Sequence, residues 1–370
     1  MRLLRLQVSH LGPFERERFS FSEPDAESGS DNLEAGAPLA GRAVTVIHGP
    51  GGVGKTTLLS AIAATRPGAL STLHQRRART PDETVPEAPA VVADWALGQD
   101  DPERPHTLTL ATPGARAFAD DQQESLRRRE QTLFDKVARE GGFAWAVLPA
   151  HRWFSRQPIL LGVPSRVASA YDTRQHSLFD DAARADLTRD TKQLLAYAAI
   201  GAALERQGQL RVARRDVALR ALGDATREVV DGLVRLAGYT YRGLDPASLE
   251  PEFTTTGGAR GFDELPTQVR HLAAMGALSL RAMWLARPER DPRDTEGVVA
   301  IDEIDLHQDP AVQALLVPSL RELLPNVQWI VTTQSGGVAG SAATHEVLAL
   351  RRLPEHDRVE VYSGSDARTH

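Results

Sequence analysis

The octapeptide GPGGVGKT, Gly49–Thr56, limits what this chain can fold into more than any other stretch. It meets the pattern G-x-x-x-x-G-K-[ST] at every fixed position, with the β-branched run AVTVIH before it and the helical run TLLSAIAA after it. A buried strand, a glycine turn and a helix in that order imply an α/β sheet with the turn at the strand's carboxyl end. There the glycines let backbone N–H groups turn inward around phosphate oxygens, and the helix N-terminus adds partial positive charge. An ordinary glycine-rich turn would need neither the full spacing nor both flanks. Gly49, Pro50, Gly51, Gly52, Val53, Gly54, Lys55, Thr56 and Thr57 are therefore expected to cradle ATP. Lys55 would reach the β- and γ-phosphates, and the Thr56 hydroxyl would ligate Mg²⁺.

A second stretch, VVAIDEIDL at Val298–Leu306, runs four apolar residues into Asp302, Glu303 and Asp305. Three carboxylates within four positions repel one another unless a cation lies beside them. Asp302, at the strand end, is expected to hold Mg²⁺ directly or through water. Glu303, one residue on and pointing differently, is placed to polarise the attacking water as a general base. Asp305 either lines a subunit interface or caps the next helix. The two motifs lie far apart in the chain, which implies large insertions between the ATP-binding halves.

Composition narrows the class further. The 370 residues are 41% hydrophobic and 25% charged, with a formal net charge of −6. Mild acidity argues against a molecule coated in nucleic acid but leaves room for a local basic groove. With no cysteine, disulfides, thiolate metal sites and cysteine nucleophiles are excluded. The start MRLLRLQVSH lacks a signal peptide's apolar core, and no run reaches the ~18 apolar residues of a membrane helix. A soluble, cytoplasmic protein with no membrane contact is expected.

Along the chain, RLLRLQV (2–8) and ERERFSFS (15–22) alternate as half-buried strands around the turn LGPF, and PAVVADWALG and HTLTLATPG read as a further antiparallel pair. Residues 22–41 and 75–90 are polar and Pro-rich, as in surface loops. Helical periodicity marks 119–140, about 187–238, 265–286 and 310–324, with strands at 143–151, 297–302, 328–334, 346–353 and 358–364. The expected fold is α/β: a P-loop NTPase with a mixed sheet core, an antiparallel β layer and a helical insertion or lid. The expected divisions are an N-terminal ATPase lobe over 1–180, the helical insertion over 181–250 and a C-terminal lobe over 251–370.

These stretches together resemble the ABC-type ATPases of the SMC/RecF-like branch, in the style of stand-alone bacterial AAA/OLD-like ATPases. MRLLRLQVSHLGPF is similar to that family's N-terminal strand and turn, GPGGVGKTT to its phosphate loop, VVAIDEIDLHQDP to its acidic segment, and NVQWIVTTQSGG to its switch strand. The resemblance implies ATP-driven dimerisation, each nucleotide lying between one subunit's phosphate loop and the other's signature helix. ELPTQVRHL, Glu264–Leu272, occupies the signature position, but Pro266 and Gln268 stand where the family has Ser and Gly. A Gln side chain cannot imitate glycine's bare backbone. Gln334 stands where the family usually has a switch histidine; it can donate a hydrogen bond but cannot carry a proton. Gln334 is thus a catalytic candidate beside Glu303 and Lys55, and slow hydrolysis is expected. Within LPAHRWFSRQ, Arg152 or Gln157 is a candidate γ-phosphate sensor. The arginines at 127–129 and 211–220 either track a DNA backbone or are solvated helix faces, the latter favoured two to one.

The leading expectation is an ATPase switch, a homodimer or higher oligomer, that controls DNA contact or a partner effector in DNA maintenance or phage defence. The chain ends soon after Gln334, so any cutting activity is expected from an effector protein in trans. A transporter-type ATPase subunit and a non-hydrolytic, ATP-stabilised scaffold are the alternatives.

Overall fold

A computed structural model describes residues 1–22, 43–68, 88–98, 106–140, 143–164, 186–207, 217–353 and 358–369. The loops expected at 22–41 and 75–90 lie almost wholly outside them, as do the arginines at 211–215. In the first third of the chain the elements are β1 (Arg2–Leu11), β2 (Phe14–Ser20), β3 (Val44–His48), α1 (Lys55–Ala64), β4 (Ala90–Leu97), β5 (His106–Ala111) and α2 (Asp121–Glu140). Next come β6 (Ala144–Leu148), α3 (Thr188–Arg206), α4 (Leu219–Arg235), β7 (Thr240–Leu244), β8 (Pro251–Thr255), β9 (Gly258–Gly261) and α5 (Thr267–Ala286). The remainder is β10 (Gly297–Ile301), α6 (Pro310–Leu323), β11 (Val327–Thr333), α7 (Gly336–Ser341), β12 (Val347–Leu353), β13 (Arg358–Ser363) and α8 (Asp366–Thr369).

A six-stranded sheet in the order β13-β12-β3-β11-β10-β6 forms the centre. Every neighbouring pair is parallel except β12 and β13. Helices or strands cover both faces, so the inner strands carry continuous apolar sequence instead of alternation. All five residues of β10 and all seven of β11 are buried. Within β10, Val299 and Ile301 join the core that holds α3–α6, while Val298 and Ala300 join the core under the antiparallel layer. Each buried Val or Ile is worth about 1.5–3 kcal/mol relative to exposure.

The antiparallel layer is a four-stranded sheet, β2-β1-β4-β5. β4 alternates strictly, with Val91, Ala93, Trp95 and Leu97 buried. These side chains share a core with Leu58, Leu59 and Ile62 of α1 and with Ile330 of the central sheet. A polar pair ties the two sheets where water is absent. Buried Gln328 on β11 accepts from the Leu3 backbone N–H at 2.7 Å and donates to the Leu3 carbonyl at 2.9 Å. Pairing both ends of the amide removes most of the cost of burying it.

The helices α3 and α4 pack against each other and against α5, and Leu194, Leu195, Leu222, Val229 and Val230 belong to the same extended apolar core as Val44, Val46, Val299 and Ile301. Helical periodicity fixes which face of a helix is buried, not what covers it. The small antiparallel sheet β7-β8-β9 is not among the expected elements; its strands are only four or five residues long, and β9 buries no residue. Beside it, fully buried Lys192 of α3 pairs with Asp263 at 2.7 Å and Glu250 at 3.0 Å, and donates to the Gln157 carbonyl at 2.8 Å.

Candidate nucleotide site

Parallel strands deliver their carboxyl ends to one edge, where ligands of open α/β sheets bind. In register, His48 lies beside Thr333, Val331 beside Ile301, and Ile301 beside Leu148. The segments that follow are therefore neighbours: the glycine loop after β3, Asp302 and Glu303 after β10, Gln334 after β11, and Pro149–Arg152 after β6.

The glycine loop is buttressed by the β1–β2 turn. Gly54 has φ 96°, and a Cβ there would lie 2.6 Å from Pro13 Cγ and 3.0 Å from Phe14 Cζ. Both the backbone conformation and the close approach exclude a side chain. Across the contact, Gly12 has φ 54°, and its Cβ would come within 2.9 Å of Thr57 Cγ2. LGPF is thus a support for the phosphate loop as well as a turn. Lys55 Nζ donates to the carbonyls of Gly49 at 2.7 Å and Pro50 at 2.8 Å. Burial pushes its ammonium below the usual lysine range, opposed by the charges of Glu303, Asp302 and Asp305.

Thr56 Oγ1 donates to Asp302 Oδ2 at 2.7 Å, which joins the two distant motifs directly. The other Asp302 oxygen accepts from Thr332 Oγ1 at 2.5 Å, and the residue is 1% exposed. A hydroxyl and a carboxylate side by side are hard oxygen donors that suit Mg²⁺. That ion is typically bound by one or two carboxylates plus substrate phosphates, not by an all-protein cage. No cluster of three or more His, Cys, Asp or Glu side chains able to hold a metal occurs among the described residues.

Glu303 lies at φ 47°, in the left-handed region, uncommon for a residue with a Cβ. Its N–H donates to Thr332 Oγ1 at 2.8 Å, and its Oε1 accepts from Gln334 Nε2 at 3.2 Å. Thr332 therefore orients both acidic residues, a role no motif in the sequence announces. The structure leaves Asp305 no role as a helix cap. It accepts a hydrogen bond from Thr333, and the N-cap position of α6 belongs to Asp309. His48, at the end of β3, is held below the ordinary histidine range chiefly by burial.

The proposed sensors are occupied elsewhere. Arg152 is 4% exposed and donates to the carbonyls of Pro149 at 2.9 Å, Asp302 at 2.5 Å and Glu303 at 2.8 Å. The Gln157 amide donates to Asp186 at 2.7 Å. Both are framework contacts, because the loop after β6 folds back against the sheet and α3. At the signature position, α5 opens at Thr267 with Pro266 at its N-cap and no side-chain cap. Gln268 Nε2 donates to Asp309 Oδ2 at 3.1 Å, and Gln308 Nε2 donates to the Gln268 carbonyl at 3.4 Å.

On α2, Arg127 is buried and pairs with Glu124 at 2.7 Å, and Arg128 reaches the same carboxylate at 2.9 Å. Hydrogen bonding from Arg127 holds the Glu124 carboxyl down to about 2. Arg220 lies 3.9 Å from Asp224 on an exposed face. Arg220 thus lies on a solvated helix face as expected, whereas Arg127 is buried in a local ion pair and does not.

No protein-family profile matches the chain. It is 35% identical over 117 residues to a retron Ec83 probable ATPase of Escherichia coli, covering 31% of this chain and 22% of that protein. It is 41% identical over 58 residues to the Septu protein PtuA of Bacillus thuringiensis, covering 16% and 15%. A retron Vc95 probable ATPase of Vibrio cholerae serotype O1 biovar El Tor is 30% identical over 82 residues, covering 22% and 16%. The matches thus span less than a quarter of each relative's length. Among solved structures, an SMC head bound to the C-terminal winged-helix domain of ScpA aligns over the whole of both chains with a TM-score of 0.54 at 12% identity. An Smc head with an extended coiled coil, bound to the C-terminal domain of ScpA derived from Pyrococcus furiosus, aligns over 100% of this chain and 97% of its own, with a TM-score of 0.51 at 14% identity. The chain thus shares the fold of SMC heads and is locally similar in sequence to retron and Septu proteins.

Proposed function

We propose that the chain is an ATP-dependent switch that binds Mg·ATP, hydrolyses it slowly, pairs with a second copy through the nucleotide and controls a partner effector in phage defence. The observation that carries this reading is the 2.7 Å bond between Thr56 and Asp302, with Glu303 as the next residue. In this reading the loop residues Gly49–Thr57 hold the phosphates, with Lys55 on the β- and γ-phosphates. Thr56 and Asp302 hold the metal. Bound Mg²⁺ would neutralise charge gathering on the phosphate oxygens. Glu303 takes the proton of the attacking water, and Gln334, already bonded to it, helps orient that water.

The uncapped start of α5 leaves backbone N–H groups for an anion such as a partner's γ-phosphate. The relatives named for retrons and for Septu support a defensive setting. DNA contact is a further element of the proposal. Among the described residues no helix is long and apolar enough to cross a membrane. The decisive experiment measures ATP binding, turnover and native mass of wild type and Glu303→Gln, with and without ATP. Tight binding, slow turnover lost in Glu303→Gln, and a doubled mass with ATP are expected. Equal turnover in both proteins would mean that Glu303 is not a catalytic base.

A further inference from the structure

Glu303 carries the proposed chemistry from a backbone that side chains rarely adopt, so something must hold that turn. Three sequence-distant contacts do so. Thr332 takes the Glu303 N–H, while Arg152 Nη1 and Nη2 reach the carbonyls of Asp302 at 2.5 Å and Glu303 at 2.8 Å. A guanidinium is a rigid planar fork, so two adjacent carbonyls bound to its two ends have their relative orientation fixed. Burial pushes this guanidinium down to about 10, which still leaves it charged at neutral pH. Burying such a charge on carbonyl dipoles is costly, and a purely packing role would be better served by an apolar side chain.

The third arm of the same guanidinium points the other way. Arg152 Nε donates to Nδ1 of His271, which is 1% exposed on the second turn of α5, at 2.9 Å. The imidazole is fixed in turn between Phe154 and His307, each ring centroid 5.0 Å away. His307 lies at φ 61° in the segment that connects Glu303 to α6. One buried side chain thus touches the acidic turn at one end and the signature-like helix at the other.

We propose that Arg152 is the positioning residue that sets the aim of Glu303, and that its bond to His271 makes this aim depend on where α5 sits. The inference rests on the reading of Glu303 as general base. A movement of α5, such as engagement of its start by a partner, would reach Glu303 of the same chain through two hydrogen bonds. Hydrolysis would then respond to assembly even though Gln268 presents no glycine.

The test uses Arg152→Lys, which keeps the charge but cannot span two carbonyls, and His271→Phe, which keeps the ring but removes the acceptor. Each is made in wild type and in Glu303→Gln, and single-turnover rate, ATP dissociation constant and melting temperature are read. In the wild-type background Arg152→Lys is expected to lose ~10-fold or more in rate with ATP affinity within about twofold. In the Glu303→Gln background it is expected to lose nothing further, because the group whose aim it sets is gone. His271→Phe is expected to lose about threefold on the same pattern. A folded Arg152→Lys with wild-type rate overturns the proposal, as does an equal further loss in Glu303→Gln or a parallel loss of ATP affinity. Should Arg152→Lys fail to fold, His271→Phe decides by the same criteria. If Glu303→Gln alone leaves the rate unchanged, the general-base reading falls first, a result visible before any Arg152 variant is considered.

Discussion

The phosphate-loop edge and the start of α5 are the two surfaces that an SMC-like dimer would press against ATP, and they are built differently. At the first, motif residues meet across the fold as the family pattern requires, with Thr56 on Asp302 and a glycine where Pro13 leaves no room for a side chain. At the second, Pro266 and Gln268 replace the small residues, and the Gln268 amide is spent on Asp309 of its own chain. In the proposed reading, the half that would hold nucleotide brings its motif residues together within one chain, while the half that would face a partner is partly satisfied internally. Under the proposed function such a site would bind nucleotide readily and assemble reluctantly, as a switch that waits for a second signal would.

The contrast breaks most sharply at Glu303. Removal of a general base typically costs 10²–10⁴-fold in rate. Glu303→Gln is expected to lose at least ~100-fold in turnover while binding ATP as wild type does, and to trap the ATP-bound dimer. A variant that turns over normally would mean that the first surface is complete in shape only. Lys55→Ala comes next. Loss of charge-assisted hydrogen bonds to phosphate, at about 1.5–3 kcal/mol, predicts ATP affinity weakened roughly 10- to 100-fold. Native mass should then be the same with and without ATP. An unchanged dissociation constant by titration calorimetry would show that the 2.7 Å and 2.8 Å bonds of Lys55 to its own loop persist with nucleotide.

Gln334→His sharpens the comparison by restoring a proton-carrying group on the intact surface. A few-fold rise in turnover is expected, with a new dependence near the ordinary histidine range of about 6.5. The sign follows from the role: an imidazolium that donates toward the γ-phosphate helps below its pKa, so the gain should fade as pH rises past it. A rate that stays flat across pH 5.5–8 would mean that this position orients water but does not exchange protons.

Legibility followed the same divide. The phosphate loop, the acidic strand end and the parallel core strands could be read because each is a local pattern: glycine spacing, a charge cluster after an apolar run, unbroken burial in β10 and β11. The partners of Arg152 are not legible in the sequence, because its bonds to Asp302 and Glu303 bridge 150 and 151 positions. Thr332 carries no motif, and its bond to the Glu303 N–H bridges 29 positions. The packing of α3 and α4 is less legible for a related reason. An amphipathic helix announces its apolar face, but not that this face meets α5 and one shared core.

The smallest expected effect tests the second surface alone. Gln268→Gly removes the side chain from the first turn of α5 and releases Asp309, so the backbone N–H groups can be approached as closely as in the family pattern. Against this, glycine in a helix costs up to about 1 kcal/mol, and less in a first turn, where the helix is not yet fully formed. The small stability cost and the freer approach of the backbone act on different readouts. ATP-dependent dimerisation is expected to strengthen a few-fold by sedimentation, while the melting temperature falls slightly and ATP affinity of the monomer stays put. If dimerisation weakens in step with the melting temperature, Gln268 is not an obstacle but part of the contact. The start of α5 would then recognise its partner through that amide instead of through bare backbone.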